Sequence, residues 1–359
     1  MRPLGSILFG YLGDQWGRKQ ALTLSIIFMA IPTLIIAILP TYAEIGIWAT
    51  IILVLCRLMQ GLCTGGEFTG ASIYILEHSL PKRRGLVGGI LVASSTFGAL
   101  SATILGALVL SSNYANILWR LPFLIGAAVG LIGLYIRRQL DETPEFIQTN
   151  AMKETVPLKE IMKHHPNAIF STIGIAAFGT VTSYALTVYM NIYLHHVLGF
   201  AIGQSMVYSS IGLGAYFFTS LITGYLSDYF GQKPVMLVMS LLGLISFYPM
   251  FSILATGNLT YIVVMQILLG IIAGGFCGPE TTLMNHLFPV HYRYTGASFG
   301  YCMGLTIVGG GTFPLISSAL IEWTGSIMAP AYYLITLGIV GFIAVLKSEE
   351  ISKPNFFSI

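Results

Sequence analysis

The chain has 359 residues, 55% of them hydrophobic and only 9% charged, with a formal net charge of +3 and a mean hydropathy of +0.81. Soluble domains carry roughly a quarter charged residues, so this composition excludes a mostly water-facing surface. The small net charge gives no support for nucleic-acid binding, and the chain reads as an all-α protein embedded in a lipid bilayer.

In chain order, the first apolar piece, Met1 to Gly13, reaches only about 20 Å at about 1.5 Å per residue. It is expected to be the end of a longer span, with something upstream missing, in preference to a short interfacial segment. It runs into a tight charged turn, Gly10-Tyr-Leu12-Gly-Asp14-Gln-Trp-Gly17-Arg18-Lys19. Ten complete spans are expected after it: Ala21–Leu39, Ile45–Gly65, Gly85–Leu110, Leu118–Ile136, Asn167–Leu194, Gly203–Leu226, Pro234–Ala255, Leu259–Cys277, Tyr294–Leu320 and Met328–Leu346. Pro32, Pro249, Gly309 to Gly311 and Pro314 interrupt them, which a bundle tolerates where neighbours satisfy the freed backbone groups. Basic residues, among them Arg18, Lys19, Lys82 to Arg84, Arg137, Arg138, Lys153, Lys233, Arg293 and Lys347, fall on alternate connections, which predicts that these face the cytoplasm. The polar stretch Arg137 to Pro166 reads as a linker with an amphipathic helix. The expected division is a bundle at 1–136, the linker at 137–166, a second bundle at 167–346 and a cytoplasmic tail at 347–359.

The charged turn has a second copy 214 positions later, Gly224-Tyr-Leu226-Ser-Asp228-Tyr-Phe-Gly231-Gln-Lys233. A long repeat in an apolar chain points to two homologous helix bundles, the layout of many secondary transporters. The glycines permit the turn. Asp14 and Asp228 stand at helix ends, where a carboxylate can cap a neighbouring helix and pair with Arg or Lys.

The Gly-x-Leu-x-Asp-x-x-Gly-Arg-Lys turn resembles the loop signature of the major facilitator superfamily. Arg2-Pro-Leu-Gly, Arg57-Leu-Met-Gln60-Gly61, Gly65-Gly66-Glu67-Phe-Thr69-Gly70-Ala71 and Glu142-Thr-Pro144-Glu-Phe146 together resemble the metabolite:proton symporter family. Ile45-Gly-Ile-Trp48, Gly70-Ala-Ser-Ile73 and Pro330-Ala-Tyr-Tyr-Leu334 are most similar to its branch that carries proline and betaines. The resemblance implies two pseudo-symmetric six-helix bundles, with the first helix missing from this chain. It implies proton-coupled import of a small zwitterionic osmolyte across the inner (plasma) membrane by a single chain, without a cofactor beyond the proton gradient. A dicarboxylate such as 2-oxoglutarate is the alternative substrate, and a transport-inactive truncated membrane protein is the alternative outside transport. Asp14, Gly17, Arg18, Lys19, Asp228 and Gly231 would act in gating. Gln15 and Tyr229 stand where the family favours Arg, which implies weaker latches, and Cys302 replaces a common Asn.

A proton-coupled carrier needs an ionisable group at membrane depth. Glu67 is the first candidate, either as a proton or substrate site, paired with a cation or protonated, or as a structural hydrogen bond between helices. Arg57 lies ten residues earlier, about 15 Å along an ideal helix, and cannot pair with it directly. It would hold a carboxylate or act on a nearby acid, or bond helix-end carbonyls, with Gln60 beside it. Tyr184, Tyr189 and Tyr193 share a broad face that suits cation–π attraction to a betaine headgroup, or anchors the helix at the interface. Glu280, beside Pro279 at the end of a span, is a candidate for a second ionisable group, but its place near the cytoplasmic boundary makes a solvated residue the expectation.

Cys56, Cys63, Cys277 and Cys302 contain no CxxC pair, and His164-His165 and His195-His196 have no accompanying carboxylate cluster, so no metal site is predicted. Neither a Walker loop nor a nucleophile with its base is found, which argues against an ATP-driven pump or an enzyme.

Overall fold

The computed structural model describes residues 1–110, 112–149, 158–254 and 256–348, and their regular structure is helical throughout. Helices satisfy their own backbone groups, as hydrocarbon demands. Helix α1 is Arg2–Gln15, followed by α2 Arg18–Ile38, α3 Ile47–His78, α4 Arg84–Leu110 and α5 Leu121–Gln139. Two short helices, Pro144–Thr149 and Leu158–His164, occupy the described parts of the expected linker. The second of these buries Ile161 while its Lys159 and Glu160 are exposed, the amphipathic pattern expected there. Then come α6 Pro166–Tyr184, α7 Ile202–Phe230, α8 Gln232–Leu254, α9 Leu259–His286, α10 Arg293–Met303, α11 Phe313–Thr324 and α12 Ala329–Lys347. Among the described residues ten helical segments are long and apolar enough to cross a membrane, in the places the sequence predicts.

Local departures from the α-helix follow the sequence. Helix α6 continues to Val197 through π-helical turns at Ala185–Tyr189 and Tyr193–Val197. The expected span Tyr294–Leu320 is broken: α10 runs into a π turn at Gly304–Val308, and the Gly309 amide donates to the Gly304 carbonyl at 2.7 Å before α11 begins. Pro32 and Pro249 are accommodated inside α2 and α8.

The chain forms two compact units. The first comprises Met1–His78, Leu108–His164 and Phe288–Cys302, and the second comprises Ser79–Ala107, His165–Leu287 and Met303–Ile359. Relative to a division at 137–166, most of α4 therefore belongs to the second unit and the start of α10 to the first. Residues 349–359 of the expected tail lie outside the described residues.

The first unit packs Phe9, Leu12, Ala21, Cys63, Ile73 and Tyr294 into one cluster. Small residues let α1 approach α3 closely, for a β-carbon at Gly65 would meet the backbone of Ser6 at 2.6 Å. In the second unit Phe178 packs edge-on against Phe276 and Phe247, with ring centroids 4.7 and 6.3 Å away. Large apolar side chains such as Val129, Phe218, Ile245 and Trp323 are exposed, the surface that lipid would cover.

Candidate functional site

In the first unit, α1 ends at Asp14 against the first turn of α10. The Asp14 carboxylate accepts from the backbone amides of Tyr294 at 3.2 Å and Thr295 at 2.8 Å, and from the Thr295 hydroxyl at 2.7 Å. These amides are among those that a helix start leaves unpaired, and negative charge is favoured there. Arg18 is fully buried beside it, with Nη1 3.3 Å from Asp14 Oδ1 and 2.8 Å from the Gly13 carbonyl. Its Nη2 donates to the Val290 carbonyl at 2.7 Å, its Nε lies 3.5 Å from Glu77 Oε2, and its guanidinium covers the Phe146 ring. Arg293 joins Glu77 at 3.0 Å to Glu145 at 2.7 Å. The Glu142 carboxylate accepts from the backbone amides of Arg18 and Lys19 at 3.0 and 3.1 Å, capping α2. Gly17, with φ +110°, supplies a backbone conformation that other residues rarely adopt.

The second copy of the turn is simpler. Asp228, in the last turn of α7, accepts from the amides of Gly85 at 2.6 Å and Leu86 at 2.9 Å, the first turn of α4. Gly231, at φ +91°, ends α7. Tyr229, in the position where Arg was expected, shares a 2.8 Å hydrogen bond with the Tyr225 hydroxyl. Both carboxylates thus occupy helix starts, and among the described residues Asp14 alone of the two also sits inside a network of ion pairs.

Glu67 on α3 forms an ion pair with Arg137 near the end of α5, and the Ser25 hydroxyl of α2 donates to the same carboxylate. Arg137 also donates to the Leu22 carbonyl. Ser25 is wholly buried, while the two charged side chains keep partial exposure, 26% for Glu67 and 18% for Arg137. Arg57, expected to hold a carboxylate, act on a nearby acid or bond helix-end carbonyls, is exposed, donates to Gln60 Oε1 at 3.1 Å and lies over the Phe123 ring, while Gln60 Nε2 donates to the Thr33 hydroxyl at 2.8 Å. Cys302 donates to the Gly65 carbonyl.

The three tyrosines differ in environment. Tyr184 is half-buried, near Gly310. Tyr189 and Tyr193 are buried, edge-on to Phe313 and Phe251 at 5.0 and 5.6 Å. The π turn at Ala185–Tyr189 closes with a five-residue repeat, so residues 184 and 189 stand closer to one line than a regular α-helix would place them.

Glu280 departs from the solvated position expected of it. It is only 3% exposed, and its Oε1 has no hydrogen-bond partner among the described residues. The expected solvated position is corrected: α6 and α7 cover this part of α9.

Pattern reading missed three groups. Arg137 was counted only as a cytoplasmic marker, the Glu77–Arg293–Glu145 bridge joins residues distant in sequence, and Glu280 lay beside a proline at a presumed helix end. A carboxylate in a long apolar helix was the available signal for Glu280.

The chain matches the model of the Major Facilitator Superfamily over residues 3–218 and 204–355. It is 33% identical over 365 residues, covering 98% of this chain and 73% of the other, to a proline/betaine transporter of Salmonella typhimurium. It is 33% identical to a glycine betaine/proline/ectoine/pipecolic acid transporter of Dickeya dadantii, covering 99% and 74%. A putative proline/betaine transporter of Staphylococcus aureus is 34% identical, with coverage of 99% and 79%. Among solved structures, the proton:xylose symporter XylE superposes with a TM-score of 0.76 at 17% identity, covering 96% of this chain and 82% of the other. The E. coli fucose:proton symporter FucP gives 0.72 at 14% identity, covering 97% and 88%.

Proposed function

Because the chain belongs to the major facilitator superfamily, a family of multi-pass membrane transporters, we propose that it imports a small zwitterionic osmolyte, proline or glycine betaine, together with protons by alternating access. One observation carries the substrate class: the match to proteins named proline/betaine transporters extends over 98% or more of the chain.

The residues divide into three roles in this reading. Glu67, bound to Arg137 and Ser25, exchanges its cation partner for a proton during the cycle. Arg57, held by Gln60, meets the substrate carboxylate, for a guanidinium offers a fork of donors to that group. Tyr184 presents its ring to the substrate ammonium and Tyr189 supports the same helix face against Phe313. Asp14, Gly17, Arg18 and Lys19 at one latch, and Asp228 and Gly231 at the other, hold helix starts in the closed conformation and release them in the open one.

The protein works as a monomer in the inner (plasma) membrane, with linker and C-terminus cytoplasmic, and draws on the proton gradient without a cofactor. Residues 1–136 and 167–346 act as the two bundles of this carrier. The test is uptake of labelled glycine betaine and 2-oxoglutarate by cells expressing the inserted chain, with and without a proton uncoupler. Uncoupler-sensitive betaine uptake is expected; uptake of 2-oxoglutarate alone would overturn the substrate class, and uptake indifferent to the uncoupler would overturn proton coupling.

A further inference from the structure

We propose that Glu280 is a proton-binding site of the second unit, loaded in the conformation described here and unloaded when its surroundings on α6 and α7 open. This deepens the reading of the protein as a proton-coupled carrier and rests on it for the coupling consequence.

The geometry of the carboxyl makes the case. Glu280 lies six residues before the end of α9, about 9 Å inside the helix terminus. It is 3% exposed and its Oε1 has no hydrogen-bond partner among the described residues. Its space is made by a glycine: a β-carbon at Gly179 of α6 would stand 2.6 Å from Oε2. The titratable groups that face it are Cys277, one turn earlier on α9, and Tyr216 of α7. Ser183 of α6 connects these two, with its hydroxyl 3.2 Å from the Tyr216 hydroxyl and 3.6 Å from Cys277 Sγ. Among the described residues no Lys, Arg or His pairs with Glu280.

A dry carboxylate without a cation or a set of donors is disfavoured far more than the neutral acid. The neutral form needs little here, because the surroundings are a thiol, hydroxyls and the backbone of a glycine. The contrast with Glu67 is chemical. Glu67 has an arginine and a hydroxyl that satisfy its charge, whereas Glu280 has no cation partner among the described residues and is built to hold a proton. Release requires water or a cation to reach Oε1. The π turn that follows Tyr184 gives α6 a weak point one turn beyond Ser183 where such movement can occur.

The test uses the full chain purified into lipid. Infrared difference spectra taken between about pH 5 and 9 are expected to show a protonated-carboxyl band in the wild type that is absent from Glu280→Gln, a variant of nearly the same shape. Glu280→Asp keeps a titratable group, and its band is expected to move rather than vanish. In the same vesicles, Glu280→Gln is expected to lose pH-gradient-driven uptake by about tenfold or more while substrate exchange stays within about twofold of wild type. An identical band in wild type and Glu280→Gln overturns the site. Loss of the wild-type band on adding sodium ions at constant pH also overturns it, in favour of a metal-cation site. If the band behaves as expected but wild-type uptake ignores the pH gradient, the proton site stands and the proton-coupled reading of the protein fails.

Discussion

Asp14 Oδ2 lies 2.8 Å from the Thr295 amide nitrogen and 2.7 Å from the Thr295 hydroxyl, so one carboxylate at the end of α1 terminates the amide array that opens α10. Asp14→Asn removes the charge but leaves an acceptor of the same shape. Hydrogen bonds to a charged group contribute about 1.5–3 kcal/mol, and a neutral amide recovers part of that, so a loss of about 1–2 kcal/mol is expected. Hydrogen exchange at the Tyr294 and Thr295 amides should then accelerate roughly tenfold if opening is local. Unchanged protection of these two amides would show that the cap does not hold the start of α10.

The Glu67–Arg137 pair should behave as a unit. Glu67→Gln and Arg137→Gln each strand a partly buried charge, which is expected to destabilise the protein by about 2–4 kcal/mol. The double substitution strands none, so it should be less damaging than the sum of the two, with a coupling energy above about 1 kcal/mol. Thermal unfolding of the four proteins in lipid measures this cycle. Transport discriminates further: if Glu67 exchanges Arg137 for a proton, Glu67→Gln abolishes gradient-driven uptake and leaves exchange measurable. Unchanged gradient-driven uptake would reduce the pair to a strut between α3 and α5.

How much of this arrangement could be read from the sequence depends on what each feature requires. The ten spans were legible because hydrocarbon thickness imposes a run length that composition reveals directly. The caps at Asp14 and Asp228 were legible because a tight turn needs glycine, and Gly17 and Gly231 do take positive φ. The helices that receive those caps were not, since α10 and α4 are distant along the chain. Arg137 was hidden by its own length: its place at the end of a span marked it as a loop charge, yet its stem reaches back to Glu67. Glu280 was hidden because burial there depends on Gly179, which no periodicity within α9 reports.

Glu44 offers a control for any pH dependence of transport. It lies in the connection Tyr42–Ile45, outside the long helices, and accepts from the Thr41 amide at 2.6 Å and the Thr41 hydroxyl at 3.0 Å. The backbone amide first, then the hydroxyl, holds its carboxyl below the ordinary carboxylate range. A depressed value means that the cap is fully present above the unfolded carboxylate range and lost only as pH falls through the folded one. Glu44→Gln is therefore expected to leave the pH profile of uptake unchanged between about pH 5.5 and 8. A displaced profile would place a transport-linked proton on this exposed loop.

Arg57 separates substrate recognition from architecture. Its guanidinium is exposed, with Gln60 and the Phe123 ring as its partners, so removing it leaves no buried charge behind and should barely alter stability. A substrate carboxylate would gain a charge-assisted hydrogen bond from it, about 1.5–3 kcal/mol. Arg57→Gln should accordingly raise KM for glycine betaine by roughly tenfold to a hundredfold with a smaller change in maximal rate. Arg57→Lys keeps the charge but loses the fork, and should fall between the two. Gln60→Ala releases the guanidinium from its 3.1 Å hydrogen bond and should raise KM only a few-fold, because the charge remains and only its aim is lost. Equal KM values for all four proteins would remove Arg57 from the substrate path.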